Sequence, residues 1–195
     1  MKQYITRIHS FDAAHRVMGH VYDDNKIDEF GINHSKCVNY HGHRYDVEMS
    51  FEFQFTGEIG YEIDFAEIKR RACQWIDDFW DHGSIFNPED KDFIKVCEDK
   101  KSKLWTMKLA GGSWCNPTAE NISKELFLIC EQLFKDLTGL KVFSIKLYET
   151  AKCLVETFPH SITPEDRANF ESGVGKKITD YATRIGTKVY FNKNQ

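Results

Sequence analysis

Between Tyr45 and Phe55 the sequence alternates without a break. Tyr45, Val47, Met49, Phe51, Phe53 and Phe55 occupy the odd positions, and Asp46, Glu48, Ser50, Glu52 and Gln54 fill the even ones. A period of two over that length specifies a β-strand with one buried face and one wet face. The chain must therefore build a sheet that something covers. His41 and His43 share the parity of the apolar residues, so two imidazoles project side by side from one end of the buried face. Gly42 between them lets another group approach the backbone. Two histidines at i and i+2 on a strand make a two-nitrogen seat for a metal, and Cys37 places a thiol four residues upstream.

Periodicity assigns most of the other elements. Gln3 to His15 reads as a strand with Phe11, Ala13 and His15 in phase, and Met18 to Tyr40 as a long polar loop. Thr56-Gly57 and Gly60 break the alternating strand, which runs from His41 to Phe55. Asp64 is placed to cap a helix whose apolar residues, Phe65, Ile68, Ala72, Trp75, Ile76 and Phe79, recur near every 3.6 positions. Pro88 to Cys115 reads as a surface excursion. Asn116 and Pro117 read as the cap and first residue of a second helix, with a stripe of Ile122, Leu126, Ile129, Leu133 and Leu137 that Gly139 ends. Val142 to Thr150 and Cys153 to Phe158 read as two more strands. The order β-β-α-α-β-β predicts an α+β fold, an antiparallel sheet with two helices on one face. A catalytic domain over 1–158 would carry long loops at 17–36 and 88–115, followed by a polar C-terminal extension over 159–195.

Composition narrows the function classes. The 195 residues are 41% hydrophobic and 29% charged, as in one ordinary globular domain, and the formal charge of -4 gives no reason to expect nucleic acid. No apolar run approaches a membrane span, and Met1 to Val17 lacks the apolar core of a signal peptide, so a cytoplasmic protein with no membrane partner is expected. The six cysteines show no framework spacing and read as free thiols.

A catalytic zinc centre uses three protein ligands and an open fourth position. His41 and His43 supply two, and His15, at the end of the first strand, is the natural third. Alone, His15 would read as a satisfied core histidine; beside an H-x-H pair, metal binding is the stronger reading. Cys37 has two readings: a thiolate near the dication acting as general base, or a fourth ligand closing the site. Asp81-His82 follows the first helix, and a carboxylate beside an imidazole orients it for proton transfer. The bland reading of that pair is a helix cap. Glu149 shares parity with Phe143, Ile145 and Leu147. A carboxylate on a buried face needs paired donors, which the amidine edge of a pterin or guanine would supply; otherwise the strand ends there and Glu149 reaches water.

Together these pieces resemble the 6-pyruvoyltetrahydropterin synthase and 6-carboxytetrahydropterin synthase family. The matching segments are Phe11-Asp12-Ala13-Ala14-His15-Arg16, Cys37 with His41-Gly42-His43, Ile63-Asp64-Phe65, Asp81-His82 with Asn87 beyond, Asn116-Pro117-Thr118-Ala119-Glu120, and Glu149-Thr150. The resemblance implies a T-fold that assembles into trimers or hexamers with active sites at subunit interfaces. It implies Zn2+ on His15, His41 and His43, a catalytic thiol at Cys37 and a proton relay at Asp81 and His82. It also implies a pterin anchored by Glu149, with Thr118 and Glu120 nearby. The implied substrate is 7,8-dihydroneopterin triphosphate. Three residues separate Cys37 from His41, the spacing of the carboxy-forming, 7-deazaguanine (queuosine) branch; pyruvoyl-forming enzymes usually have five. The pyruvoyl-forming synthase and a non-catalytic zinc- and pterin-binding module are the alternatives. Ala151 departs from the cysteine common at that place in the carboxy branch.

Overall fold

Strand β1 (Lys2–His15) and strand β2 (His41–Gln54) pair antiparallel along their whole length, with Ala13 opposite His43 and His15 opposite His41. This register is the central fact of the architecture. It carries the in-phase histidine of the first strand to the H-x-H pair of the second. On β2 the odd residues Tyr45, Val47, Met49 and Phe51 are fully buried, as the alternation demands. The computed structural model describes residues 2–19, 27–54, 62–109 and 115–185. Phe55, the break at 56–60 and parts of both long loops lie outside the described residues.

Asp64 caps the first helix by accepting the Ala66 N–H. That helix is α1 (Phe65–Ile68), a π-helical turn (Lys69–Cys73) and α2 (Gln74–Phe79) in one run. Ile68, Ala72, Trp75 and Ile76 are buried, but Phe65 is 52% exposed. Phe65 sits immediately after the cap, and the extra residue of the π turn rotates the apolar stripe away from it.

The sheet departs from the expected antiparallel arrangement. It has six strands in the order β4-β3-β1-β2-β5-β6. Here β3 (Gly83–Phe86) runs parallel to β1, and β4 (Leu104–Thr106) parallel to β3. The antiparallel unit of β1, β2, β5 (Leu140–Thr150) and β6 (Cys153–Thr157) is as expected. The span read as a surface excursion thus contributes an edge strand, and it carries helix α3 (Lys91–Asp99) besides. Asp90 leaves its place before α3 uncapped. Its buried carboxylate instead holds Arg16, just after β1, through bonds of 2.5 and 2.6 Å.

Helix α4 (Ala119–Leu133) starts two residues later than expected, capped by Thr118, whose Oγ1 accepts the Asn121 N–H. Asn116 is engaged elsewhere: its side chain binds both the N–H and the carbonyl of Met18 and accepts from Asn87. The helix stops at Leu133, although Leu137 is still buried. The α1–α2 run and α4 cover one face of the sheet, burying Trp75, Trp80, Phe127 and Ile129 with the odd residues of β2. After β6 the chain forms α5 (Pro164–Phe170), a π turn (Glu171–Gly175) and α6 (Lys176–Arg184). Phe170, Ile178, Tyr181 and Ala182 join the core. Arg167 pairs with Glu131, and the Tyr181 hydroxyl donates to Asp78. Residues 186–195 lie outside the described residues. No described helix is long and apolar enough to cross a membrane.

Candidate active site

Strand parity places His15, His41 and His43 at the end of the covered face, and their ligand nitrogens lie within 4.8 Å of one another. Two of the rings are aimed by backbone carbonyls. His15 Nδ1–H donates to the Pro117 carbonyl at 2.6 Å, and His41 Nδ1–H donates to the Asn39 carbonyl at 2.7 Å. Each bond fixes the tautomer that leaves Nε2 with a free lone pair. His15 is 2% exposed. Burial, with smaller contributions from the neighbouring imidazoles, lowers its pKa to about 4 even though the Pro117 carbonyl works the other way. Burial lowers that of His43 as well. In both, burial favours the neutral ring, the form that binds a metal.

His15 Nε2 is buried and has no hydrogen-bond partner. An orphaned buried nitrogen is costly and uncommon, and a cation shared with His41 and His43 would satisfy it. Three imidazole donors suit a borderline-soft dication such as zinc. The residues fit a metal.

Two further groups stand at the rim. Glu149 Oε1 lies 3.6 Å from His15 Nε2 and 3.8 Å from His43 Nε2. Its side chain is 29% exposed, between the two environments its sequence position allowed. Among the described residues the set of donors mutually within 4.8 Å contains the three histidines and neither Glu149 nor Cys37. A compact four-ligand shell is thus not assembled here, and three ligands leave a position open. Cys37 lies on an exposed 3-10 turn, Lys36–Val38. Its carbonyl accepts the Val17 N–H at 2.8 Å, which ties the turn to the chain just beyond His15. All six cysteines are free, four of them buried.

Asp81 and His82 form a dyad on the other side of the strands. His82 Nδ1–H donates to Asp81 Oδ2 at 2.7 Å, and Asp81 Oδ1 accepts the Asp12 N–H at 2.9 Å. Partial burial works to raise the Asp81 pKa, but the Asp12 N–H, His82 and Lys103 together hold it below the ordinary value. His82 has φ +54°, a left-handed conformation that a ring-bearing side chain adopts at a cost of about 1 kcal/mol or more. Its backbone N–H donates to the Asp12 carbonyl at 2.6 Å, which holds it there. The imidazole is 76% exposed. Thr118 serves as the α4 cap, and Glu120 is exposed in the first turn of α4.

Residues 4–159 match the family described as 6-pyruvoyl tetrahydropterin synthase. A 6-carboxy-5,6,7,8-tetrahydropterin synthase of Rickettsia typhi is 38% identical over 153 residues, 77% of this chain and 96% of that protein. The chain belongs to the 6-pyruvoyl tetrahydropterin synthase family. Its fold is the family's T-fold. An uncharacterized protein of Wolinella succinogenes superposes with a TM-score of 0.61 at 20% identity, covering 82% of this chain and 99% of that one. The 6-pyruvoyl tetrahydropterin synthase of Caenorhabditis elegans does so with a TM-score of 0.55 at 21% identity, covering 81% and 96%.

Sequence reasoning did not find the Pro117 and Asn39 carbonyls that orient the rings. Every residue carries a carbonyl, so nothing in the residue types marks them.

Proposed function

We propose that this family member is a zinc-dependent 6-carboxy-5,6,7,8-tetrahydropterin synthase. It would convert 7,8-dihydroneopterin triphosphate and water to 6-carboxytetrahydropterin, acetaldehyde and triphosphate, feeding 7-deazaguanine synthesis in the cytoplasm. The observation that carries this reading is the similarity to the Rickettsia typhi protein of that name along nearly its whole length. The three-residue spacing between Cys37 and His41 agrees with it.

Each residue has a role that its surroundings support. His15, His41 and His43 would hold the zinc, which when bound supplies Lewis acidity toward the hydroxyls of the pterin side chain. Glu149, half-buried beside the histidines, would receive paired N–H groups from the pterin ring, with Thr118 and Glu120 near it. Cys37, exposed and close to the end of β1, would take a proton from the side chain. His82, oriented by Asp81, would carry protons to and from it. Metal centre and relay stand on opposite faces of the same two strands. This arrangement supports a homo-oligomer, trimer or hexamer, in which the relay of one copy serves the metal centre of another.

The test is direct. Incubated with 7,8-dihydroneopterin triphosphate, the metal-loaded protein should release acetaldehyde and a product with the mass of 6-carboxytetrahydropterin, and a chelator should stop both. A product with the mass of the pyruvoyl compound and no acetaldehyde would move the chain to the other branch. Metal and pterin binding without any product would make it a binding module.

A further inference from the structure

The wet face of β1 and β2 carries a cavity of about 550 Å³ beside the Asp81–His82 dyad. Asp12, Tyr40, Arg44, His82, Ser84 and Lys103 line it, and it reaches His43. Its lining mixes cations, carboxylate and hydroxyls. Arg44 follows His43 directly and so projects from the opposite side of the strand. It is 69% exposed, and its nearest carboxylate, Asp12, is 3.8 Å away, a loose pairing that leaves its other donors unused.

Lys103 is the more tightly placed cation. Its ammonium donates to the carbonyls of Asp77 (2.7 Å) and Asp81 (2.6 Å) at the end of the α2 turn. Its stem lies against Gly83, where an added Cβ would come within 3.2 Å of Lys103 Cγ and Cδ. The two carbonyls therefore fix the lysine charge on the cavity lining, close enough to the Asp81 carboxylate to favour its ionised form. Tyr40 and Ser84, both on the lining, share a hydrogen bond of 2.7 Å, and each hydroxyl keeps further bonding capacity. His82 adds a third nitrogenous group to the lining. Arg44, Lys103, an imidazole and two hydroxyls gather here with two carboxylates, Asp12 and Asp81, and the two cations are the groups that a polyanion would engage.

We propose that this cavity takes the phosphate tail of the substrate, with Arg44 as the mobile clamp and Lys103 as the fixed cation. The proposal rests on the pterin triphosphate reading and extends it. It assigns the tail to the copy that supplies the relay, so that the leaving group departs beside His82. Neither cation belongs to the motifs that carry the family resemblance. Arg44 lies between His43 and Tyr45, and Lys103 comes from the span that adds β4 to the sheet.

The experiment uses the full chain loaded with metal, and metal content is assayed before and after each titration because polyphosphates chelate. Three probes are compared by calorimetry or pterin fluorescence: inorganic tripolyphosphate, neopterin, and neopterin triphosphate. The wild type should bind tripolyphosphate saturably and prefer neopterin triphosphate to neopterin. In Arg44→Ala, tripolyphosphate and neopterin triphosphate should each weaken by about tenfold or more, the size of a lost charge-assisted contact. Neopterin should change by less than about twofold, and Arg44→Lys should recover part of the loss. Lys103→Ala, which removes the fixed cation, should weaken tripolyphosphate in the same direction.

Equal affinity for tripolyphosphate in wild type and Arg44→Ala, or no saturable binding to the wild type, overturns the proposal. So does a neopterin affinity that falls as much as that of its triphosphate. Arg44-dependent tripolyphosphate binding with no neopterin binding at all would uphold the anion site and sink the pterin reading, which keeps the two failures apart.

Discussion

The two ends of chemistry on this sheet are built in opposite ways. On the covered face His15 is sunk into the core with His41 and His43 half-buried beside it, and backbone carbonyls 2.6 and 2.7 Å away dictate the orientation of His15 and His41. On the wet face His82 stands three-quarters exposed, attached to the fold through one carboxylate and a strained backbone. The difference follows from what each group would do. Metal ligands have to be fixed before the ion arrives, because a site that must organise itself on binding loses affinity. A proton carrier has to meet a substrate that comes and goes, so it needs a fixed ring orientation but an open approach. One strand pair serves both because its side chains alternate between faces.

The largest expected effect breaks the covered side. His43→Ala should drop the bound metal from about one ion per chain to roughly none, since two imidazoles do not hold a zinc centre. Turnover should vanish with it. Elemental analysis of the purified variant checks this, and a full metal complement would remove His43 from the ligand set. The His82 side should be unaffected, so the fold, read by circular dichroism, should stay intact.

Cys37→Ala comes next and separates base from ligand. Metal content should be unchanged while turnover falls by about 10²–10⁴-fold, the range for losing a general base. Loss of metal instead would mean that Cys37 moves in to close the site. Near-normal turnover would pass the role to His82.

Glu149→Gln tests the rim between the two regions. One carboxylate oxygen becomes a donor that opposes a pterin N–H, so pterin binding should weaken by roughly 2–5 kcal/mol. Zinc affinity should hold. If zinc affinity falls in step, the carboxylate that stands 3.6 Å from His15 Nε2 is a ligand rather than an anchor.

Which parts of this were legible beforehand depends on how much of the information is local. The β2 alternation and the parity of His15, His41 and His43 reside in residue type and spacing, and the sheet reproduces them. Strands β3 and β4 did not show, because they have four and three residues, too few to display a period. Asn116 looked like a cap because asparagine is a good one. Its actual partners, Met18 and Asn87, are 98 and 29 residues away. The placement of the dyad on the face opposite the histidines was equally hidden: it depends on a turn whose left-handed residue, His82, is not a glycine.

The smallest predicted effect concerns the link between the two regions. Helix α4 follows Pro117, which orients His15, and it also carries Glu125, which is wholly buried. Glu125 Oε1 accepts the Trp105 indole N–H at 2.5 Å, and Oε2 accepts the Lys108 N–H at 2.6 Å, so the helix holds the segment that runs on from Lys103. Burial raises its pKa to about 7, even with those donors and the Lys108 ammonium drawing it down. Cys115 faces the same pocket, its thiol pushed up to about 11 by burial and by the Glu125 charge. Because the folded-state value lies above the unfolded one, the folded protein binds the extra proton between them. The stability Glu125 contributes is therefore complete below about pH 4.5 and is lost as pH rises through about 7. The whole effect amounts to about 3 kcal/mol, since each tenfold change in proton affinity is worth about 1.4 kcal/mol. Urea midpoints measured from pH 5 to 8 should fall for the wild type relative to Glu125→Gln, whose side chain does not titrate. The slope carries the test, since the amide also turns a donor toward Trp105 or Lys108 and shifts both ends alike. Hydrogen exchange in the wild type should quicken first at Trp105 to Lys108, while the ends of β1 and β2 stay protected. Parallel slopes would mean that the carboxylate stays ionised across this range and that the two regions are not coupled through it.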